Sequence, residues 1–104
     1  MSIDSALEIV YDCLLGEQSI PAQLRFRQGM NENRFAQLVA ALRLLITHYA
    51  AAETVPKQLA LCLVDIYGAF SFREGMYSEA VTARLEDAGI QLQGLAEELF
   101  GAAN

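Results

Sequence analysis

The sequence has few of the residues that most often bind metals or act as nucleophiles. It contains one histidine, His48, and two cysteines, Cys13 and Cys62, and the cysteines lack the C-x-x-C spacing of zinc and redox motifs. A tetrahedral zinc site would need carboxylates from elsewhere, and neither cysteine has the local signature of a Cys–His nucleophile pair. We therefore predict a protein that is not an enzyme and has no metal site, no cofactor and no catalytic residues.

Basic residues are also scarce. Seven Lys and Arg against 13 Asp and Glu give a formal net charge of −6, which opposes binding to phosphate backbones and anionic membrane surfaces. The longest uninterrupted apolar run, LALCLV at 59–64, is too short to span a bilayer. No signal-peptide pattern precedes the cysteines, so we expect free thiols and a cytoplasmic location.

Prolines number only two, and no Gly/Ser-rich linker interrupts the chain, so we predict a single domain over 1–104. Apolar residues make up 54% of the sequence and charged residues 19%, against roughly 45–50% and 25% in ordinary domains. The core of a small domain has a limited volume and cannot hide this surplus. We therefore expect some apolar side chains to contact another subunit or another protein.

Helical periodicity dominates the chain and predicts an all-α, single-domain helical bundle of about five helices. Ser5 followed by Glu8 is a capping-box pattern at the start of the first helix, and Gly16 would end it. In the third helix, apolar residues follow the 3, 4 spacing of a bundle seam. The predicted helices run over 5–15, from Pro21 to Gly29, over 32–51, from Pro56 onward, and over 78–100.

The last two predicted helices differ in character. The fourth is apolar on nearly every side from Leu59 to Tyr67, which is typical of the central helix of a bundle. The C-terminal helix contains Gly89 and Gly94, each of which weakens a helix by about 1 kcal/mol relative to Ala. Its apolar spacing keeps phase across Gly89, so we predict one long helix, with a break at Gly89 as the alternative.

A pentapeptide occurs twice, as FRQGM at 26–30 and as FREGM at 72–76. If Gly29 and Gly75 lie just past a helix in the left-handed conformation, the following methionines can pack back on that helix. We interpret both copies as helix stops rather than as binding loops. Apolar positions also match at this offset, either through duplication of a helical hairpin or by coincidence, and we favour coincidence.

Several apolar residues fall outside the predicted buried stripes and form the basis of our functional hypothesis. We predict a small acidic protein-binding module, dimeric, that occupies a surface of another protein as an adaptor, secretion chaperone, anti-activator or toxin antagonist would. The competing interpretation is that these side chains pack a dry monomer core. Asp65 would lie on a solvent strip of the fourth helix, or be buried beside an arginine. The candidate contact residues are Ile9, Cys13, Leu44, Leu61, Asp65, Phe72 and Ile90.

The alternative function is DNA binding through the locally basic segment 21–43. This segment resembles a helix-turn-helix motif, with a short helix, a Gly-apolar corner and a second helix. Arg25 stands where such motifs have a small buried residue, and the net charge of −6 opposes the interaction. The candidate residues for this alternative are Arg25, Arg27, Arg34 and Gln37. Otherwise the arginines would pair with the acidic first and last helices.

Overall fold

The computed structural model describes residues 1–72 and 75–101, and within them the chain forms six α-helices and no strand. The all-α prediction is confirmed, with six helices rather than about five. The helices are α1 (Ile3–Leu14), α2 (Ile20–Arg25), α3 (Glu32–His48), α4 (Lys57–Leu63), α5 (Ile66–Ala69) and α6 (Glu79–Leu99).

Helix α1 begins earlier than the sequence pattern predicts. The Ser2 hydroxyl accepts a hydrogen bond from the Ser5 amide, and the Ser5 hydroxyl accepts one from the Ser2 amide. This reciprocal pair is a capping box in which Ser5 takes the position usually held by Glu or Gln. The predicted box with Ser5 as the cap is therefore wrong, because the earlier serine already satisfies the free amides.

One hydrophobic core connects all six helices. Helix α1 packs along α3, α6 crosses α3, and α4 and α5 cover α1 and α6 respectively. Four of the five predicted seam positions of α3 are buried, whereas the fifth, Tyr49, is the C-cap of the helix and is half-buried. On α1 only part of the predicted stripe is right, since Val10 and Leu14 are buried while Leu7 and Tyr11 are half-buried. The buried residues of the α3 seam are Phe35, Leu38, Leu42 and Leu45.

The predicted fourth helix is two short helices. The chain leaves α4 at Val64, and Asp65 takes the left-handed conformation with a φ of 54° before α5 begins. Because of the break, α4 packs on α1 while α5 packs on α6. Apolar side chains on different sides of the segment are therefore buried against different helices. The prediction of one enclosed central helix is wrong, since Leu61 and Val64 are largely exposed.

Helix α6 is a single helix that runs through both glycines, as predicted. Gly89 is buried where α5 crosses it, and a Cβ at this position would lie 3.1 Å from Phe70 Cβ. Gly94 faces open space, with nothing within 4 Å of the position of a Cβ. The glycine that suggested a helix break is therefore a place where the end of α5 lies close against α6.

The pentapeptide glycines do not end helices. Gly29 and Gly75 both have positive φ, as predicted, but α2 ends before Gly29 at Arg25. The left-handed residue after α2 is Arg27, whose amide bonds to the Leu24 carbonyl, while the next amide bonds to the Gln23 carbonyl. This is a Schellman motif built on arginine instead of glycine. Residues 73 and 74 of the second copy lie outside the described residues, and the suggested duplication stays an interpretation.

Candidate partner-binding surface

The seven predicted contact residues do not form one surface. Leu61 on α4 and Ile90 on α6 are exposed, and so is Asp65 at the break between α4 and α5. Three others are half-buried and pack against the core: Ile9, Leu44 and Phe72. Cys13 is only 2% exposed. The prediction that Cys13 lies opposite the buried side of α1 is wrong, because the buried side of α1 extends around to the face that α3 covers.

The two most exposed large apolar side chains among the described residues are Phe26, at 75%, and Val64, at 71%. Each is the C-cap of its helix, and each is followed directly by a residue in the left-handed conformation, Arg27 or Asp65. These two are the only non-glycine residues with positive φ in the described part of the chain. Such a conformation is uncommon and costs an L-residue about 1–2 kcal/mol.

Phe26 and Val64 border two adjoining clefts. One cleft, of about 230 Å³, lies between the end of α1 and the α4–α5 break and is lined by Leu61 and Val64. The other, of about 640 Å³, follows the turn between α1 and α2 and reaches Phe26. Arg25 and Gly16 line both clefts. We call the continuous region formed by Phe26, Leu61 and Val64 around Arg25 the α2/α4 surface.

Neither Phe26 nor Val64 was predicted as a contact residue. Phe26 was placed inside a helix that would end at Gly29, and Val64 inside a helix continuing through Asp65. An early helix stop at an arginine or an aspartate carries no sequence signal comparable to glycine. Of the residues of the α2/α4 surface, only Leu61 was predicted as a contact residue, because it flanks Asp65 on the predicted fourth helix.

The arginines of the locally basic segment are used in different ways. Arg34 donates hydrogen bonds to the backbone oxygen of Asp12 at 2.8 Å and to the Asp12 carboxylate at 3.0 Å, and it also donates to the Gln18 carbonyl. Only 17% of its side chain is exposed. Arg25, Arg27 and Gln37 are exposed. The guanidinium of Arg34 is thus bonded to α1 and the turn after it. This agrees with the interpretation in which an arginine pairs with an acidic residue of α1.

A second ion pair joins α3 to α6. Arg84 donates to both carboxylate oxygens of Glu32, at 2.8 and 3.0 Å, and its guanidinium lies 5.1 Å from the centre of the Phe35 ring. The hydrogen bonds from Arg84 lower the pKa of the Glu32 carboxyl and raise that of the guanidinium. This bidentate geometry sets the position of the start of α6 against the start of α3.

The two thiols lie in the core and do not meet the requirements of a nucleophile. Burial raises the pKa of the Cys62 thiol to about 11, and burial also raises the pKa of Cys13. Thiols of this kind are protonated at neutral pH and react slowly. Within residues 1–72 and 75–101, no three His, Cys, Asp or Glu side chains lie close enough together to hold a metal ion.

Comparisons with protein-family models, curated proteins and solved structures found no match. Among the described helices, none combines the length and the apolar character needed to cross a membrane.

Proposed function

We propose that the chain is a small, non-catalytic protein-binding module that binds a surface of a partner protein through the α2/α4 surface. The proposal rests on the observation that exposed apolar side chains and strained backbone occur at the same two places in the chain. Phe26 and Val64, the two most exposed large apolar side chains among the described residues, each precede a left-handed non-glycine residue. Strained backbone concentrates at functional sites because selection for stability alone would remove it.

The energetics indicate what else the partner must supply. Fully burying Phe26, Leu61 and Val64 would contribute roughly 1.5–3 kcal/mol each. That sum is comparable to the roughly 4–15 kcal/mol that association costs in lost freedom. Further contacts are needed for stable binding. The exposed Arg25 and Arg27 beside Phe26 outnumber Glu17, the one carboxylate among the described residues that line the Phe26 cleft, and favour a partner with carboxylates next to an apolar patch.

Self-association is part of this proposal. The apolar surplus of the sequence, 54% of all residues, favours a dimer in which further apolar side chains are covered. Free cysteines at positions 13 and 62 favour a reducing compartment such as the cytoplasm. An adaptor, a secretion chaperone, an anti-activator or a toxin antagonist would act through a surface of this kind.

The helix-turn-helix alternative needs arginines free to reach phosphates. Arg34, one of its four candidate residues, instead donates to Asp12 and to the Gln18 carbonyl. Burial of Phe35 and Leu38, the first apolar positions of the second helix, does not separate the two functions, because a helix-turn-helix motif also packs such positions in its core. The contacts of Arg34 favour the protein-binding module.

Photo-crosslinking tests the proposed surface. A photoreactive phenylalanine analogue replaces Phe26 or Val64 in cells that express the protein, and the same analogue at the exposed polar Gln91 of α6 serves as the control. We expect a discrete adduct from positions 26 and 64 and none from position 91, with mass spectrometry separating a second copy from a different protein. Equal adduct yields from all three positions, or no adduct at 26 and 64, would contradict the proposal.

A further inference from the structure

A cleft in which half of the described lining residues are aromatic lies between the α5–α6 connection and the first half of α6. Its volume is about 220 Å³, and Tyr67, Phe72 and Tyr77 are among the residues that line it. The ring of Phe70, which is 1% exposed, contributes to its floor, and Glu86 lies at its edge. The cleft is smaller than the roughly 300–1,000 Å³ sites that take drug-sized ligands. It is suited to one side chain or one small ion.

The aromatic rings of this cleft are held in place. The Tyr77 hydroxyl donates a 2.6 Å hydrogen bond to the Leu24 carbonyl at the end of α2. The rings of Phe72 and Tyr77 are 5.8 Å apart and meet edge to face at 73°. Rings in this arrangement form a corner instead of a stack, and a corner can present π density to a ligand from more than one side. The side walls are therefore preorganised.

The described residues around the cleft carry negative charge. An adjoining cleft shares Phe72, Tyr77 and Glu86 with it and adds Glu79. Among the described residues that line the two clefts, Glu79 and Glu86 are the only charged side chains. The amino end of α6 carries roughly half a positive charge, but Glu79 lies in the first turn and outweighs it. This field favours a cation and disfavours an anion.

We propose that this aromatic cleft binds one organic cation, a guanidinium or an alkylammonium group, supplied by an Arg or Lys side chain of the protein partner. Aromatic faces attract such cations through their quadrupole, and arginine makes this contact most often. A carboxylate at the edge adds a hydrogen-bond acceptor for the same group. The assignment of the cation to a partner rests on the proposed function, whereas the preference for a cation rests on the cleft alone.

Titration by NMR tests the cleft without any partner. The probes are N-acetyl-arginine methylamide, its neutral isostere N-acetyl-citrulline methylamide, and methylguanidinium as a free small cation. We expect the arginine derivative to shift the amide signals of Tyr77 and Thr82, and the citrulline derivative to bind about tenfold more weakly. Glu86→Gln and Phe72→Leu should each weaken arginine binding several-fold, whereas Glu97→Gln, which removes an equal charge farther along α6, should not.

Equal binding of the arginine and citrulline derivatives, or unchanged binding in both cleft variants, would overturn the cation site. Methylguanidinium that binds far more tightly than the arginine derivative would support the cation site but overturn its assignment to a side chain, because the cleft would then exclude a cation attached to a peptide. The two proposals fail separately. A wild-type protein that binds no arginine derivative, together with a crosslink from position 64, would remove only the cleft.

Discussion

At the residue scale, the fold depends on the backbone at a few positions. Gly89 permits the contact between α5 and α6, while Arg27 and Asp65 take conformations that glycine would adopt more easily. Adding a side chain at Gly89 should lower the free energy of unfolding, because the side chain would collide with its neighbours. Replacing a left-handed residue by glycine should raise it, because glycine adopts this conformation without strain. Each can be tested with a single substitution and a matched control.

The two glycines of α6 should respond with opposite sign to the same change. Gly94→Ala should stabilise the protein by about 0.5–1 kcal/mol, because alanine favours the helix and its methyl group meets nothing. Gly89→Ala should destabilise it by about 1 kcal/mol, because the methyl group presses on Phe70 Cβ and displaces α5. Urea unfolding measures both free energies. Stabilisation by both substitutions would show that α5 does not pack on α6 as closely as described.

The strain at Arg27 should be removable. Arg27→Gly should raise the free energy of unfolding by about 0.5 kcal/mol, because glycine adopts positive φ without the cost that arginine incurs. Arg25→Gly, two residues earlier in the last turn of α2, should lower it by about 1 kcal/mol. Thermal and urea unfolding check the difference. A loss of stability in Arg27→Gly would mean that the arginine side chain itself holds the corner.

At the element scale, Arg34 joins three segments of the chain. From the first turn of α3 it donates to backbone oxygens of Asp12 in α1 and of Gln18 in the turn that follows. Backbone acceptors do not titrate, and the side chain of Arg34 is largely covered. The link should therefore depend little on pH and salt.

Replacing Arg34 should cost more than replacing its acidic partner. Arg34→Lys should destabilise the protein by about 1–2 kcal/mol, because one ammonium cannot donate to the carbonyls and the carboxylate in the fork geometry of a guanidinium. Asp12→Asn should cost no more than about 0.5 kcal/mol, since its carboxylate is exposed. Urea unfolding at low and high salt measures both. Equal losses would show that the ion pair, and not the carbonyl contacts, provides the link.

Sequence patterns predicted the long elements well and the short ones poorly. The periodicities of α3 and α6 span several turns, so a single glycine such as Gly89 did not obscure them. The break at Asp65 could not be predicted, because an apolar segment gives no signal that its two halves will pack on different neighbours. For the same reason, the exposure of Val64 could not be predicted. The exposure of Phe26 could not be predicted because α2 ends earlier than the sequence pattern indicates.

At the scale of the whole molecule, the two candidate surfaces differ in charge. The α2/α4 surface combines apolar side chains with the arginines beside Phe26 and with Glu17, while the described charged residues that line the aromatic cleft and its neighbour are carboxylates. A partner that contacts both regions would need an acidic-apolar patch and a basic side chain. Such a combination gives orientation as well as affinity.

The most direct test of the central claim is quantitative capture of partners from nuclease-treated native extract by the tagged protein and three variants. Phe26→Asp and Val64→Asp place a charge on the α2/α4 surface, and Ile90→Asp places one at an equally apolar, exposed position on α6. Circular dichroism establishes that each variant keeps its helices. We predict that one stoichiometric protein survives nuclease treatment with the wild type and Ile90→Asp and is lost with the other two. Retention by Phe26→Asp and Val64→Asp, or loss after nuclease alone, would contradict the account.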